Sequence, residues 1–446
     1  MIFIEKVVGR EILESRGLPT IEVSITLSNG IKTKASSPSG TSYGTNEAVE
    51  VRDKDLGRYL GYGVTRAVNN VNKTIAPRIY KKDPIYQFDI DELLAELDGT
   101  PNKAHLGANT ILATSMAVAK AGALLRKINF FEHLHSLYKK QHNFLFKENS
   151  KNSANSQGEY VKSPRKMTIP EPIFNIIQGQ ESKESKLDFQ DFMIILKGIP
   201  EFSEKLRYAS EVNHQVQKIL VGNDYELTLQ NEKAYTSNIS NDETALTTIM
   251  NAINQAENKF KNNVFIGLDV AATAIYNHSK RKYRMNSQQK YLTGEELVNY
   301  LLELEKKYPM IFFEDPLAYN DYQNWKKISQ STPQYIGIVG DDLFNGNLNM
   351  IERNKKEKWA NSISIKPNQI GSLKDILTTI IMAQQQELKI VLSHRSGETN
   401  DDFLSDIAVA VGADYFRAGA PNKGERIAKY NRMMIIEEKL KILQNT

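Results

Sequence analysis

Six charged or polar residues follow short apolar runs, and together they could carry metal-assisted acid–base chemistry. They are Asp269 after VFIGL, Glu314 after MIFF, Asp341 after YIGIVG, Lys366 after SISI, His394 after KIVLS and Arg417 after DYF. Three carboxylates form an all-oxygen set of the kind hard divalent cations prefer, with water and substrate oxygens as further ligands, so Mg²⁺ is the expected cofactor. A lysine and an arginine nearby suit an anionic substrate. A single Asp after a strand is usually a helix cap or a turn residue, and the GDD at Gly340–Asp342 is a weak signal alone. Six such positions in series are harder to assign to turns.

The runs that carry these residues are rich in β-branched and aromatic side chains and are separated by helix-like stretches. That rhythm predicts parallel strands in βα units. Six units in series favour a barrel, in which strand C-termini gather at one rim. The upstream part reads differently. EVSITLS (Glu22–Ser28) alternates, Asn29-Gly30 signals a hairpin, and IKTKASS fits the returning strand. GANTILATSMAVAKAGALL (Gly107–Leu125) has helical spacing. Strands followed by helices predict a small α+β domain. Residues 147–166 are polar and nearly free of large aliphatics, which predicts a flexible linker or surface insertion. The expected division is a capping domain at 1–146, the polar segment 147–166, and a catalytic α/β barrel at 167–446.

A chain of 446 residues has room for two domains, one of them barrel-sized. Its 57 basic and 53 acidic residues nearly cancel, which gives no case for a nucleic-acid or membrane-surface binder. There is no cysteine, which excludes disulfides, thiolate nucleophiles and thiolate zinc sites and is compatible with a cytoplasmic location. An additional cell-surface presence stays open. Glu5 and Lys6 interrupt the N-terminal apolar run too early for a signal peptide. No segment is read as reaching the roughly 18 apolar residues of a membrane helix.

Longer motifs narrow the reading. SRGLPTIEV, PSGTSYGTNEAVEVRD, GLDVA, FFEDP, GDDL, KPNQIGSL, SHRSGETND and GAPNKGERIAKYN occur in that order from Ser15 to Asn431. Together they resemble the enolase family. The resemblance implies a modified (β/α)8 TIM barrel preceded by a small α+β domain, commonly as a homodimer, and a lyase that dehydrates 2-phosphoglycerate to phosphoenolpyruvate. It implies that Asp269, Glu314 and Asp341 hold one Mg²⁺, that Ser42 serves a second, and that Lys366 takes the C2 proton. Glu232 matches the acid that protonates the departing hydroxide. Arg395 and Ser396 match phosphate contacts, while Gln190 and His394 match other positions at the substrate. Arg10 and Glu425 match positions between subunits. The physics suits these roles: divalent cations stabilise the charge that develops on a carboxylate-flanked carbon acid, and they depress the pKa of a neighbouring lysine.

The chain also departs from the family pattern. A glycine-rich stretch with an active-site histidine is here NIIQGQESKES, with Ser182 at the histidine's place. Asp191 stands where a glutamate is expected, Asn231-Glu232-Lys233-Ala234 replaces a more glycine-rich segment, and Arg417 stands for a lysine. Asp191 is one methylene shorter than its counterpart, and arginine changes hydrogen-bond geometry while keeping the charge. Three readings follow: a working enolase with an adapted loop; a weak or inactive relative kept for binding; or a related lyase or isomerase acting on another anionic acid.

Overall fold

The computed structural model describes residues 2–40, 47–152, 161–179, 186–225, 234–235, 238–256 and 258–445. The described chain forms two compact units. The first comprises residues 1–169, 365–385 and 392–413, and the second comprises 170–364, 386–391 and 414–446.

In the first unit, β1 (Ile4–Leu13), β2 (Pro19–Leu27) and β3 (Lys32–Ser36) form an antiparallel sheet in that order. The β2–β3 connection is the expected hairpin. Thr26 faces Lys32, and Gly30 takes the turn at φ +85°, where a side chain would be strained. The helix Ala108–Arg126 packs across β2 and β3. By length and composition alone it could cross a membrane. However, 83% of that stretch is buried inside the protein, so it is the apolar core helix of this unit.

The two ends of the polar segment fall among the described residues. The helix Phe130–Asn152 continues through its first residues. Beyond it, the Lys162 carbonyl lies 2.7 Å from His142 Nε2 and accepts from Gln385 Nε2 at 2.9 Å, and the Arg165 N–H donates to the buried Tyr138 hydroxyl at 3.0 Å. Backbone groups held by buried side chains fix the downstream end in place without aliphatic burial.

In the second unit, the two strands of the inserted hairpin region (β7, Tyr276–Asn277; β8, Lys282–Met285) and a third (β9, Lys290–Leu292) make a small antiparallel sheet. The main sheet is a closed barrel. Its strands are β4 (Glu171–Gln178), β5 (Asp191–Leu196), β6 (Val264–Asp269), β10 (Met310–Glu314), β11 (Gly337–Gly340), β12 (Ser362–Ile365), β13 (Lys389–Ser393) and β14 (Tyr415–Gly419). All six strands expected from the apolar runs are present. β4 and β5 complete the ring, and β5 runs antiparallel to both neighbours.

Ile173, Met193, Ile195, Phe312, Val339, Val391 and Tyr415 fill the barrel. Phe312 meets Tyr415 edge-on at 5.8 Å between ring centres. Each such side chain contributes about 1.5–3 kcal/mol by leaving water. That apolar plug supports the polar rim above it.

Candidate active site

Strand register places the first acids together. Asp269 and Glu314 are the last residues of parallel β6 and β10 and are paired in register. Because β5 is antiparallel, its first residue, Asp191, is the one that pairs with Asp269. Arg417, within β14, reaches all three. Its Nη1 donates to Asp269 Oδ2 at 3.0 Å and to Glu314 Oε2 at 2.7 Å, its Nη2 donates to Asp191 Oδ2 at 2.5 Å, and its Nε donates to Asn175 Oδ1 at 3.2 Å. Gln190 binds the same Asp269 oxygen through Nε2 at 3.4 Å, while its backbone N–H donates to the Asp269 carbonyl at 2.9 Å.

The group is buried: side-chain exposure is 4% for Arg417, 1% for Asp191 and 0% for Glu314. Burial favours the neutral form of the guanidinium. The neighbouring Glu314, Asp269 and Asp191 carboxylates outweigh this and carry its pKa upward, so it is permanently cationic.

Asp341 follows β11, where Gly340 leaves room for the Phe344 ring; a β-carbon there would lie 2.7 Å from it. Asp315 sets this turn. Its carboxylate oxygens accept the backbone N–H groups of Asp341 and Asp342, each at 2.9 Å. It also adopts φ +40°, a strained conformation for a side-chain-bearing residue and one that clusters at functional sites. Burial and the negative Asp342 and Asp341 raise the Asp315 pKa well above the carboxylate range. Among the described residues, the acidic trio whose ligand atoms all lie within 4.8 Å of one another is Asp315, Asp341 and Asp342, which shares only Asp341 with the expected triad. Asp315 uses its oxygens on backbone amides, so its part is to hold the Asp341 turn.

The remaining predicted residues fall in the first unit or outside the described residues. Lys366 follows β12, is half-buried, and leads into a short 3-10 turn at Pro367–Gln369. His394 follows β13, and its Nδ1 lies 3.0 Å from the Arg395 carbonyl. Arg395 is 5% exposed; its N–H donates to Glu398 Oε1 at 3.1 Å and its Nη2 approaches Glu47 at 3.5 Å. Its guanidinium lies over Gly40, where a β-carbon would come within 1.8 Å of Nη2. The Ser396 carbonyl accepts from the Ser15 hydroxyl at 3.2 Å. Ser42, Ser182, Glu232 and Lys233 lie outside the described residues.

Sequence reasoning missed Asn175 and Asp315. FFEDP contains Asp315, but its neighbour Glu314 drew the assignment. Asn175 sits inside the apolar run FNIIQ, where a lone buried amide is itself a signal that it has a partner.

A closed eight-stranded barrel whose rim gathers acids and one buried arginine belongs to the α/β-barrel enzymes. The comparisons specify which. Residues 166–444 match the family model "Enolase, C-terminal TIM barrel domain", and residues 4–134 match "Enolase, N-terminal domain". The chain is similar to the enolase of Ehrlichia ruminantium (strain Gardel), with 41% identity over 437 residues that cover 98% of this chain and 96% of the relative. It is similar also to the enolase of Ehrlichia canis (strain Jake), with 38% identity over 444 residues, 99% of this chain and 97% of the relative. The chain belongs to the enolase family. It is a lyase that interconverts 2-phospho-D-glycerate with phosphoenolpyruvate and water, and Mg²⁺ dependence is general in that family.

Proposed function

We propose how this chain's residues divide that reaction. Asp269, Glu314 and Asp341 hold the Mg²⁺, Lys366 takes the proton from C2, and Glu232 protonates the departing hydroxide. Ser42 serves a second, substrate-linked Mg²⁺. Arg395 and Ser396 bind the phosphate, and Gln190, His394, Ser182, Asp191 and Arg417 line the substrate. The same reading divides the chain at 1–146, 147–166 and 167–446, and gives a cytoplasmic homodimer with Arg10 and Glu425 between subunits.

One observation carries the metal assignment: Asp269 and Glu314, at registered strand ends, both turn an oxygen to a single Arg417 nitrogen. Carboxylates that already converge on one cationic point suit a hard cation with oxygen preference. Bound there, the metal supplies positive charge beside the substrate carboxylate. Arg417 draws Asp191, Asp269 and Glu314 to one point, so these carboxylates are already gathered where a divalent ion would be held. Asp315 fixes the backbone of Asp341 and so fixes where that side chain starts. Nothing in the fold or the relatives favours a binding protein without turnover.

The test is formation of phosphoenolpyruvate, followed by its ultraviolet absorbance with 2-phosphoglycerate and Mg²⁺. Lys366→Ala should lower kcat by about 10³-fold, within the range for loss of a general base. Turnover that survives this change would remove Lys366 from the role of base.

A further inference from the structure

Two of the departures from the family pattern, Asp191 and Arg417, touch each other. Asp191 Oδ2 lies 2.5 Å from Arg417 Nη2, with both side chains nearly sealed from solvent. The acid is one methylene shorter than the glutamate expected there, and the base is longer and broader than the expected lysine. We infer that Asp191 and Arg417 form one exchangeable unit, whose joint length positions the Asp269 and Glu314 carboxylates for the metal. This inference rests on the assignment of Asp269 and Glu314 as metal ligands.

The geometry leaves no slack for changing one member alone. A longer acid at 191 would advance its carboxylate by on the order of 1 Å into a contact that is already at the short limit. The guanidinium then has to move. It is held on its other edges by Asn175 Oδ1, Asp269 and Glu314, so the displacement passes to both acids. A lysine at 417 has the opposite fault. Its ammonium would stop short of Asp191 and draw away from the Asp269–Glu314 pair, a gap that a longer acid at 191 closes. Asp191 Oδ1 has no hydrogen-bond partner among the described residues, so loss of the Oδ2 contact would leave a buried carboxylate without compensation. The two changes together restore the summed length. Arg417 and Asp191 therefore act as positioning residues for the acids beside them.

The experiment is a cycle on the full-length protein: Asp191→Glu, Arg417→Lys, and both together. It is read by calorimetric Mg²⁺ titration without substrate and by the split between kcat and KM for 2-phosphoglycerate. Each single change should weaken Mg²⁺ binding about tenfold and lower kcat by a similar factor, whereas the double variant should return to within about threefold of the native protein. Single effects that multiply in the double variant overturn the inference. If both single variants fail to fold, thermal denaturation of the double variant decides: recovery of a cooperative transition supports coupling, and failure to recover refutes it. Glu314→Gln is measured alongside. Undiminished Mg²⁺ affinity in that variant would refute the ligand assignment, whereas a clear loss there combined with multiplicative cycle effects would refute the coupling alone.

Discussion

Arg417 and Arg395 are both buried arginines among carboxylates, but the acids around them are used differently. In the second unit, Asp191, Asp269 and Glu314 all draw on one guanidinium. In the first unit the acids are supplied by many donors. Glu50 accepts the Gly40 N–H at 3.0 Å, Asn368 Nδ2 at 2.8 Å and Arg52 Nη2 at 3.0 Å. Glu47 accepts from Gln369 at 3.0 Å and only a long contact from Arg395. Saturated carboxylates are structural: they fix the loops around Arg395. Carboxylates from separate strands that converge on one guanidinium are arranged as the oxygen ligands of a hard cation are.

Glu314→Gln tests the strongest side of this contrast. It halves the acidic pair on Arg417 Nη1, and Mg²⁺ affinity should fall about 100-fold in a calorimetric titration, consistent with about 3 kcal/mol for a charged ligand removed from a buried site. Unaltered affinity would mean that the acids gathered on Arg417 do not bind metal. Gly40→Ala tests the other side. The added methyl would strike the Arg395 guanidinium, so the KM for 2-phosphoglycerate should rise about tenfold, in line with loss of one charge-assisted contact, with a smaller change in kcat. An unchanged KM would remove Arg395 from phosphate binding.

Asp242 sharpens the comparison, because its oxygen has amide donors and, among the described residues, no cation. Its Oδ1 accepts the N–H groups of Asp188 at 2.9 Å and Phe189 at 3.4 Å. Burial, with the negative Asp188 beside it, pushes its pKa up to about 8. The folded state therefore holds this proton more tightly than the unfolded chain, whose aspartates titrate near about 3.9. The stabilisation is complete below about pH 4 and is lost as pH rises to about 8. Asp242→Asn should flatten that slope, so that between pH 5 and 8 urea denaturation shows the variant losing less stability than the native protein by more than about 1 kcal/mol. Parallel pH profiles would show that Asp242 is already ionised in the fold.

Much of this was legible in the sequence. The six apolar runs became strands, and the Asn29-Gly30 turn and the helix after Gly107 formed where their patterns placed them. β5 was harder to recognise for a physical reason. Parallel βα units carry functional residues at strand ends, whereas an antiparallel strand carries them at its start, as Asp191 does. The contact of Arg417 with Asp191, Asp269 and Glu314 joins residues up to 226 positions apart, so neither periodicity nor local motif encodes it. Asp315 was visible inside FFEDP, but its task of holding two backbone amides 26 and 27 residues away belongs to turn geometry.

The reversed direction of β5 has an architectural consequence. β4 leaves the barrel at Gln178 and β5 enters at Asp191; these two residues are paired, and the next step is stitched by the Gly179 N–H to the Gln190 carbonyl at 2.8 Å. The excursion between them is thus a cassette clamped at its base, beginning and ending at the mouth. Residues can be exchanged within such a cassette at little cost to the staves, because closure entropy changes slowly with length and the clamp lies outside the exchanged part. The first two residues of QGQESKES, the stretch that departs most from the family pattern, belong to that clamp, so the rewriting the scaffold tolerates is that of the residues after Gly179.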